Sequence, residues 1–205
     1  MQLKDPLDDV FRGRSNAPVL RALLRLPDGI GVSIREIARR AGVTHPTASG
    51  VLEGFRAQGL ALRRRTLLAD EYRINPSHVL VSPLRRLLDA ETEVPDSLEH
   101  FLRNQILGQA PWVHDAYLFG SAVTGDMRPD SDIDVALICP ARQERRLSEL
   151  MDELSDETAS RFGNHLGVLI GTKPIMELAR PGRPGYRIWQ EVKQDGRRLL
   201  PAEGA

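Results

Sequence analysis

Two aspartates interrupt a short apolar segment, and this pattern constrains the fold more than any other feature of the chain. The segment reads Asp132-Ile-Asp-Val-Ala-Leu-Ile138, and its aliphatic side chains are typical of a buried strand. Successive side chains on a strand point to opposite faces, so Asp132 and Asp134 share a face while Ile133 points into the core. Two adjacent carboxylates repel each other, and they are stable together mainly when a hard cation such as Mg²⁺ lies between them.

A glycine-serine pair stands ten residues before these aspartates. Gly120 and Ser121 follow a second apolar strand, which we predict from Trp112 to Phe119. At a strand-to-helix turn, glycine lets the backbone approach a ligand, and the first N–H groups of the helix are free to bind phosphate. A phosphate-binding turn that faces a metal-binding carboxylate pair is typical of phosphoryl or nucleotidyl transfer. An acidic turn beside a strand is the alternative, but it does not explain two aspartates inside the strand.

The pattern Gly-Ser, ten residues, Asp-x-Asp resembles the signature of the minimal nucleotidyltransferases of the DNA polymerase β superfamily. The resemblance implies a small α/β domain with a mixed sheet, which uses Mg²⁺ or Mn²⁺ and an NTP. It implies that Asp132 and Asp134 are catalytic and metal-binding, and that Gly120 and Ser121 contact the phosphates. Arg128, in the loop between the two elements, is a further candidate for phosphate contact; its alternative is a solvated loop charge.

Active members of that family carry a third acidic residue on the strand after Asp-x-Asp. Here that strand reads Asn164-His-Leu-Gly-Val-Leu-Ile-Gly171, and no Asp or Glu occurs between Glu157 and Glu177. His165 is the nearby side chain of a ligand type, but imidazole prefers softer metals than Mg²⁺. Three alternatives therefore stay open: the domain binds nucleotide and reacts slowly, binds it without reacting, or takes a carboxylate from a partner.

The charges of the chain are divided unevenly, although its net charge is zero. Residues 1–90 contain 15 basic and 9 acidic side chains, whereas residues 91–205 contain 13 and 19. A basic segment joined to an acidic one indicates two modules. We therefore predict one domain over residues 1–90 and a second over residues 91–205.

The composition favours a cytoplasmic protein. The single cysteine, Cys139, excludes an internal disulfide and fits a reducing compartment. No segment approaches the roughly 18 apolar residues of a transmembrane helix, and the acidic, polar start of the chain is unlike a signal peptide. We therefore expect no membrane association.

The first domain begins with signals for three helices. We predict a helix from Pro18 to Leu26, and a second that starts at a capping box formed by Ser33 and Glu36. The second helix ends at the turn Gly42-Val43-Thr44, and Thr44 caps a third helix that tolerates a proline in its first turn. A β-hairpin follows, with strands at 60–68 and 72–75.

This order of elements resembles the winged helix-turn-helix of bacterial regulators. The resemblance implies that the third helix enters the major groove of DNA and that the hairpin contacts phosphates or the minor groove. Such proteins usually bind as homodimers. The alternative is a protein-interaction module that does not read bases. The predicted DNA contacts are Thr44, His45, Thr47 and Ser49 in the helix, and Arg63, Arg64 and Arg65 in the wing.

The elements after the hairpin follow the order of a winged helix joined to an α/β domain. We predict two helices, one through Leu84 and Leu88 and one that opens at Pro95, between the two domains. After the Asp-x-Asp strand we predict elements at 142–162 (helix), 166–170 (strand), 173–179 (short helix), 186–194 (helix) and 197–200 (strand). Lys173 and Arg187 are further candidates for triphosphate contact.

Three classes of function fit the sequence, and the third involves neither catalysis nor DNA binding. The first is an enzyme that transfers a nucleoside monophosphate from an NTP to a hydroxyl on a small molecule, an RNA end or a protein. The second is a DNA-binding regulator or antitoxin whose nucleotidyltransferase fold binds only nucleotide or a partner. The third is an adaptor in which both domains are scaffolds.

Overall fold

The computed structural model describes residues 11, 13–67, 69–128 and 130–200. The predicted polar start of the chain therefore lies largely outside the described residues. The chain divides into two compact units, Met1–Glu93 and Val94–Ala205. None of the helices in the described ranges combines the length and hydrophobicity needed to cross a bilayer.

The first unit contains three helices and a three-stranded antiparallel sheet. The helices are α1 (Asn16–Leu24), α2 (Ile34–Ala41) and α3 (His45–Ala57), and the strands are β1 (Val32–Ser33), β2 (Ala61–Arg65) and β3 (Asp70–Ile74). The strand order is β1-β3-β2, so β2 and β3 form the predicted hairpin. Strand β1 was not predicted, because two residues are too few to show an alternating pattern.

Local signals fix the two helices of the helix-turn-helix. The hydroxyl of Ser33 accepts the N–H of Glu36 at 3.3 Å at the start of α2. Gly42 ends α2 with a φ of 63°, which is the left-handed conformation that glycine adopts without strain. Thr44 then caps α3 by accepting the N–H of Thr47 at 3.4 Å. These contacts confirm the predicted capping signals at the starts of α2 and α3.

The core of the first unit lies between these helices and the sheet. Its fully buried side chains come from all three helices and from both hairpin strands, and they include Leu20, Leu23, Ile37, Leu52, Phe55, Leu60 and Tyr72. Burial of a large apolar side chain contributes roughly 1.5–3 kcal/mol. The inward positions of α3 thus fix which of its faces remains exposed.

One helix, α4 (Val81–Gln109), replaces the two helices predicted before the second domain. The prediction of a break at Pro95 was wrong, since Pro95 lies inside the helix. A proline removes one helical hydrogen bond and crowds the preceding turn, and it usually bends or ends a helix. Every residue from 91 to 97 is exposed, so the carbonyl that loses its partner remains accessible to water.

The second unit is a four-stranded mixed sheet with helices. Its strands are β4 (Asp115–Phe119), β5 (Ile133–Ile138), β6 (Leu166–Gly171) and β7 (Arg197–Arg198). The order is β6-β5-β4-β7, in which β5 and β6 are parallel and the other pairs are antiparallel. The helices are α5 (Ser121–Thr124), α6 (Glu144–Phe162), α7 (Ile175–Leu178) and α8 (Tyr186–Asp195), and a 3-10 turn at Ala141–Gln143 precedes α6.

The two faces of this sheet pack against different helices. On one face, Ile133, Val135 and Leu137 of β5 pack with side chains of α6 and of the second half of α4. On the other face, Ala136 and Ile138 pack with Trp189 and Val192 of α8. Asp134 has the same parity along β5 as Ala136 and Ile138, so it lies on the face that α8 covers.

Candidate functional site

The two aspartates lie at the N-terminal end of β5. Asp134 is paired with Phe119 on β4 and with Gly167 on β6. Ile133, between the aspartates, is 1% exposed, and its N–H donates to the carbonyl of His165 at 2.8 Å. A side chain at Gly167 would meet both Asp132 and Asp134, so both aspartates lie on one face of the sheet.

Two glycines, one directly after β4 and one on β6, leave room for the Asp134 carboxylate. A Cβ at Gly120 would overlap Oδ2 of Asp134, and a Cβ at Gly167 would lie 2.6 Å from Oδ1. Gly120 also has a φ of 67°, a conformation that side-chain-bearing residues rarely adopt. The carboxylate therefore lies between two positions that only glycine fills without displacing it.

The negative charge of this pair is uncompensated. Within the described ranges, no hydrogen bond or ion pair joins the carboxylate of Asp132 or of Asp134 to another residue. Burial raises the pKa of Asp134, and the charges of Asp132 and Glu191 raise it further. Carboxylate oxygens without a protein donor are the ligands that Mg²⁺ and Mn²⁺ prefer. The donor set therefore fits a hard divalent cation held by Asp132 and Asp134.

Gly167 of β6 lies opposite Asp134 in the parallel register. The strand therefore provides no carboxylate at this position. The ring of His165 lies beside α6 instead, with Nδ1 3.4 Å from the hydroxyl of Ser155. Across the described ranges, no three acidic, histidine or cysteine side chains are gathered closely enough to hold a metal together.

Of the predicted phosphate-binding residues, only some lie next to the two aspartates. Gly120 precedes α5 and Ser121 is its first residue, so both lie where β4 ends next to Asp134. Arg128 is exposed, and its backbone N–H donates to the hydroxyl of Ser131 at 3.0 Å in a turn before β5. Lys173 follows the far end of β6 and pairs with Glu177 at 2.8 Å. Lys173 is therefore separated from Gly167 by the length of a strand.

Sequence reasoning missed two residues that affect Asp134. Gly167 looks like an ordinary glycine in an apolar strand until its register with Asp134 is known. Glu191 lies on α8, far along the chain from the Asp-x-Asp pattern, and its charge acts on Asp134. No local motif signals Glu191, because the packing of α8 on the sheet brings it to this face.

The start of α3 forms the exposed part of the helix-turn-helix. His45 and Thr47 are exposed, and Ser49 is half-buried. Thr44 is also exposed, but its hydroxyl lies 2.8 Å from that of Thr47 and caps the helix. Ala48 between them is fully buried. The first turns of α3 thus present His45, Thr47 and Ser49 on the side away from the core.

The three wing arginines have different surroundings. Arg63 forms an ion pair with Glu53 of α3 at 3.3 Å. The same carboxylate accepts a hydrogen bond from the hydroxyl of Tyr72 and forms a second ion pair with Arg56 at 2.7 Å. Arg64 pairs with Glu71 at 2.8 Å, and Arg65 lies 3.9 Å from Asp70. The side chains of Arg64 and Arg65 are 77% and 81% exposed, against 29% for Arg63. Arg63 is thus turned toward α3, and the other two arginines face solvent.

Two family models match this chain, one within each structural unit. Residues 104–169 match the family described as polymerase beta, nucleotidyltransferase, and residues 13–66 match the MarR family. Among solved structures, a mutant of the toxin-antitoxin MntA-HpeT is 18% identical over 51% of this chain and 74% of its own, with a TM-score of 0.38. A toxin-antitoxin with AMP-PNP is 19% identical over 51% and 74%, with a TM-score of 0.35. No curated protein matches.

These matches occur in the order that the two structural units follow along the chain. The chain therefore joins an N-terminal winged-helix domain of the MarR type to a nucleotidyltransferase domain of the polymerase β type.

Proposed function

We propose that this protein is a divalent-cation-dependent nucleotidyltransferase that carries a DNA-binding domain. It transfers a nucleoside monophosphate from an NTP to a hydroxyl of a macromolecule. The observation that carries the proposal is the unpartnered pair Asp132 and Asp134, placed beside the Gly120-Ser121 turn and enclosed by two glycines. A structural role for two adjacent carboxylates predicts donors around them, and the described residues provide none.

The roles of the residues follow from this arrangement. Asp132 and Asp134 would hold Mg²⁺ or Mn²⁺, and the cation would supply positive charge for the phosphates and for the attacking oxygen. Gly120 allows the triphosphate to approach the backbone, and Ser121 offers a hydroxyl and an N–H to it. We assign to Arg128, in the loop before β5, a contact with phosphate. The acceptor hydroxyl loses its proton and attacks the α-phosphorus, and the bond to the β-phosphate breaks to release pyrophosphate.

The acceptor in this proposal is a macromolecule that bears a free hydroxyl. A partner protein is one candidate, because some nucleotidyltransferases that the motif resembles are antitoxins that modify their partners. Loss of labelling after protease treatment identifies a protein acceptor, and loss after ribonuclease identifies RNA.

Transfer of label tests the enzyme directly. The four α-labelled NTPs are incubated with Mg²⁺ or Mn²⁺, the full chain and a cell lysate. We expect one labelled species with the wild type and none with the Asp132→Ala/Asp134→Ala double variant. Equal labelling by the two proteins would assign the activity to a contaminant, and the enzyme would have to be abandoned.

The second candidate is a DNA-binding regulator whose nucleotidyltransferase domain binds an NTP without transferring it. The glycine opposite Asp134 on β6 favours this candidate, because that strand provides no third carboxylate. In both candidates we assign DNA contact to the exposed N-terminal turns of α3 and to the wing, and we expect a homodimer on a palindromic site. NTP binding without labelled product, measured on the same preparation, would select the regulator.

Sedimentation and DNA titration test the DNA-binding part. A labelled duplex from the upstream region of the gene itself is titrated with the full chain at several salt concentrations. Specific binding by a homodimer gives two chains per duplex and an affinity that falls as salt rises. Binding that is absent at low salt would leave the winged helix as a protein-interaction module.

A further inference from the structure

We propose that the free edge of β6 pairs with β6 of a second copy of this chain, in the antiparallel direction, so that Val168 lies opposite Ile170 of the second copy. This pairing joins the two sheets into one and places a dimer interface in the nucleotidyltransferase domain. It goes beyond the proposed function, because it holds whether or not the protein transfers nucleotides.

Strand β6 is the longer of the two edge strands in the sheet of the second unit. The order β6-β5-β4-β7 leaves β6 paired on one side with β5 and, within the described residues, with no strand on the other side. Its residues, Leu166–Gly171, include no charged side chain and no proline, and their register with β5 runs without a bulge. Charges, prolines and bulges are the features by which proteins keep an edge from pairing with other strands. An edge without them is suited to accept a further strand.

The hydrogen bonds to β5 show which backbone groups of β6 point outward. Ile133 donates its N–H to the carbonyl of His165, and Cys139 donates its N–H to the carbonyl of Gly171. In a parallel pair, alternate residues of a strand bond to the neighbouring strand, and the residues between them point away from it. The odd-numbered residues of β6 therefore bond to β5, and the even-numbered residues direct their N–H and C=O groups to the free side.

The start of this edge is closed, and its middle is open. The outward N–H of Leu166 donates to the hydroxyl of Ser155 on α6 at 3.0 Å. No residue in the described ranges forms a hydrogen bond with the outward groups of Val168 or Ile170. Val168 is also 37% exposed. The open part of the edge thus consists of two residues placed symmetrically about Leu169.

This open part is complementary to itself. In an antiparallel pair, two residues directly opposite each other exchange both of their hydrogen bonds when their groups point to the seam. A two-fold axis through Leu169 sets Val168 opposite Ile170 of the second copy, and Ile170 opposite Val168 of the second copy. Each open N–H then meets an open C=O, and the N–H that Ser155 already holds is not required.

The side chains of this pairing favour a second copy. Val168 and Ile170 share one face of the sheet, and β-branched side chains directly opposite each other stabilise a pair of strands. Because β6 carries no charge, the meeting of two identical strands opposes no like charges. The second copy would also cover Val168, which a single chain leaves exposed.

Disulfide formation in the full chain tests both the interface and its register. The single native cysteine is first replaced by Cys139→Ala, and Leu169→Cys is then added. In the proposed register, residue 169 faces its own copy in a non-hydrogen-bonded pair with Cα atoms about 4.5 Å apart, which a disulfide can bridge. Val168→Cys in the same background is the control: it is more exposed, but its copy lies diagonally, at about 7–8 Å.

We expect mild oxidation to link Leu169→Cys into a covalent dimer about tenfold or more faster than Val168→Cys, because disulfides do not bridge Cα atoms more than about 7 Å apart. Linkage of Val168→Cys that is as fast or faster would overturn the register. No covalent dimer from folded, purified Leu169→Cys chains would overturn the second copy as the occupant of this edge. Circular dichroism establishes the folding of each variant.

A charge on the edge gives an independent readout. Val168→Lys, added to the Leu169→Cys chain, places like charges at the seam and should reduce linkage by about tenfold or more. Val94→Lys is the matched control, since Val94 is an exposed valine of the same unit outside the sheet, and it should leave the rate within about twofold. Equal rates in the two lysine variants would refute pairing through β6.

A second pair of cysteines replaces Leu169→Cys if that variant does not fold. Val168→Cys and Ile170→Cys chains are then mixed, since the register places these positions opposite each other with Cα atoms about 5.5 Å apart. A disulfide that forms in the mixture and in neither chain alone supports the pairing. Equal linkage in the mixture and in the separate chains contradicts it.

Discussion

Replacement of Gly167 by alanine tests whether the glycine enclosure holds the Asp134 carboxylate in position for a cation. The new Cβ lies 2.6 Å from Oδ1 of Asp134, whereas a relaxed contact between carbon and oxygen is about 3.3 Å. The oxygen must therefore move by about 0.7 Å. Ligand distances in metal sites vary by only about 0.2 Å, so this oxygen is lost to the ion.

Gly171→Ala is the matched control, because it lies on the same strand and the same face at the other end. Its Cβ would meet Leu178 at 2.5 Å and Trp189 at 2.8 Å. Overpacking costs typically 1–3 kcal/mol, so both variants should lower the melting temperature by several degrees. Only Gly167→Ala should weaken Mn²⁺ binding, and by about tenfold or more.

Thermal unfolding and Mn²⁺ titration of the two variants separate packing from the site. If Gly171→Ala weakens Mn²⁺ binding as much as Gly167→Ala does, cation binding follows general stability. The glycine at position 167 then has no specific role in positioning the Asp134 carboxylate. If Gly167→Ala binds Mn²⁺ like the wild type, the carboxylate between the glycines is not a ligand.

Three further predictions follow from the described contacts. Asp134 has a raised pKa in the folded state, so its contribution to stability is present at low pH and is lost as pH rises through that pKa. Asp134→Asn should therefore raise the melting temperature of the cation-free protein at pH 7 and flatten its decline with pH, as calorimetry at several pH values can check. Arg64→Ala and Arg65→Ala should each reduce the slope of log affinity for DNA against log salt by about 1, whereas Arg63→Ala should chiefly lower the melting temperature. Thr44→Ala should destabilise the first unit by about 1 kcal/mol, measured by urea unfolding.

Local patterns predicted the elements of this chain well. The capping residues Ser33 and Thr44, and the alternation around Asp132 and Asp134, act over a few residues, so they are readable without a structure. The continuous helix α4 was missed because the effect of Pro95 depends on whether the surrounding turn is exposed. The two-residue strand β1 exists only through its pairing with β3.

The part of the site that the sequence did not predict depends on contacts between distant segments. The residue opposite Asp134 is set by the register of β5 with β6, and no local pattern in the sequence reveals that register. The placement of Glu191 depends on α8 packing over β4 and β5. Likewise, Arg63 looked equivalent to its two neighbours, and its turn toward Glu53 follows from the position of α3 above the hairpin.

The contact of Glu53 with Arg56, Arg63 and Tyr72 has a consequence for how DNA preference changes in evolution. The residues that hold α3 against the hairpin belong to its later turns, whereas the exposed positions at 45, 47 and 49 belong to its first turns. A Cβ added at Gly50 would meet nothing within 4 Å. Under the proposed DNA contact, substitutions at these early positions would change the preferred operator while the contacts that anchor the helix stay intact.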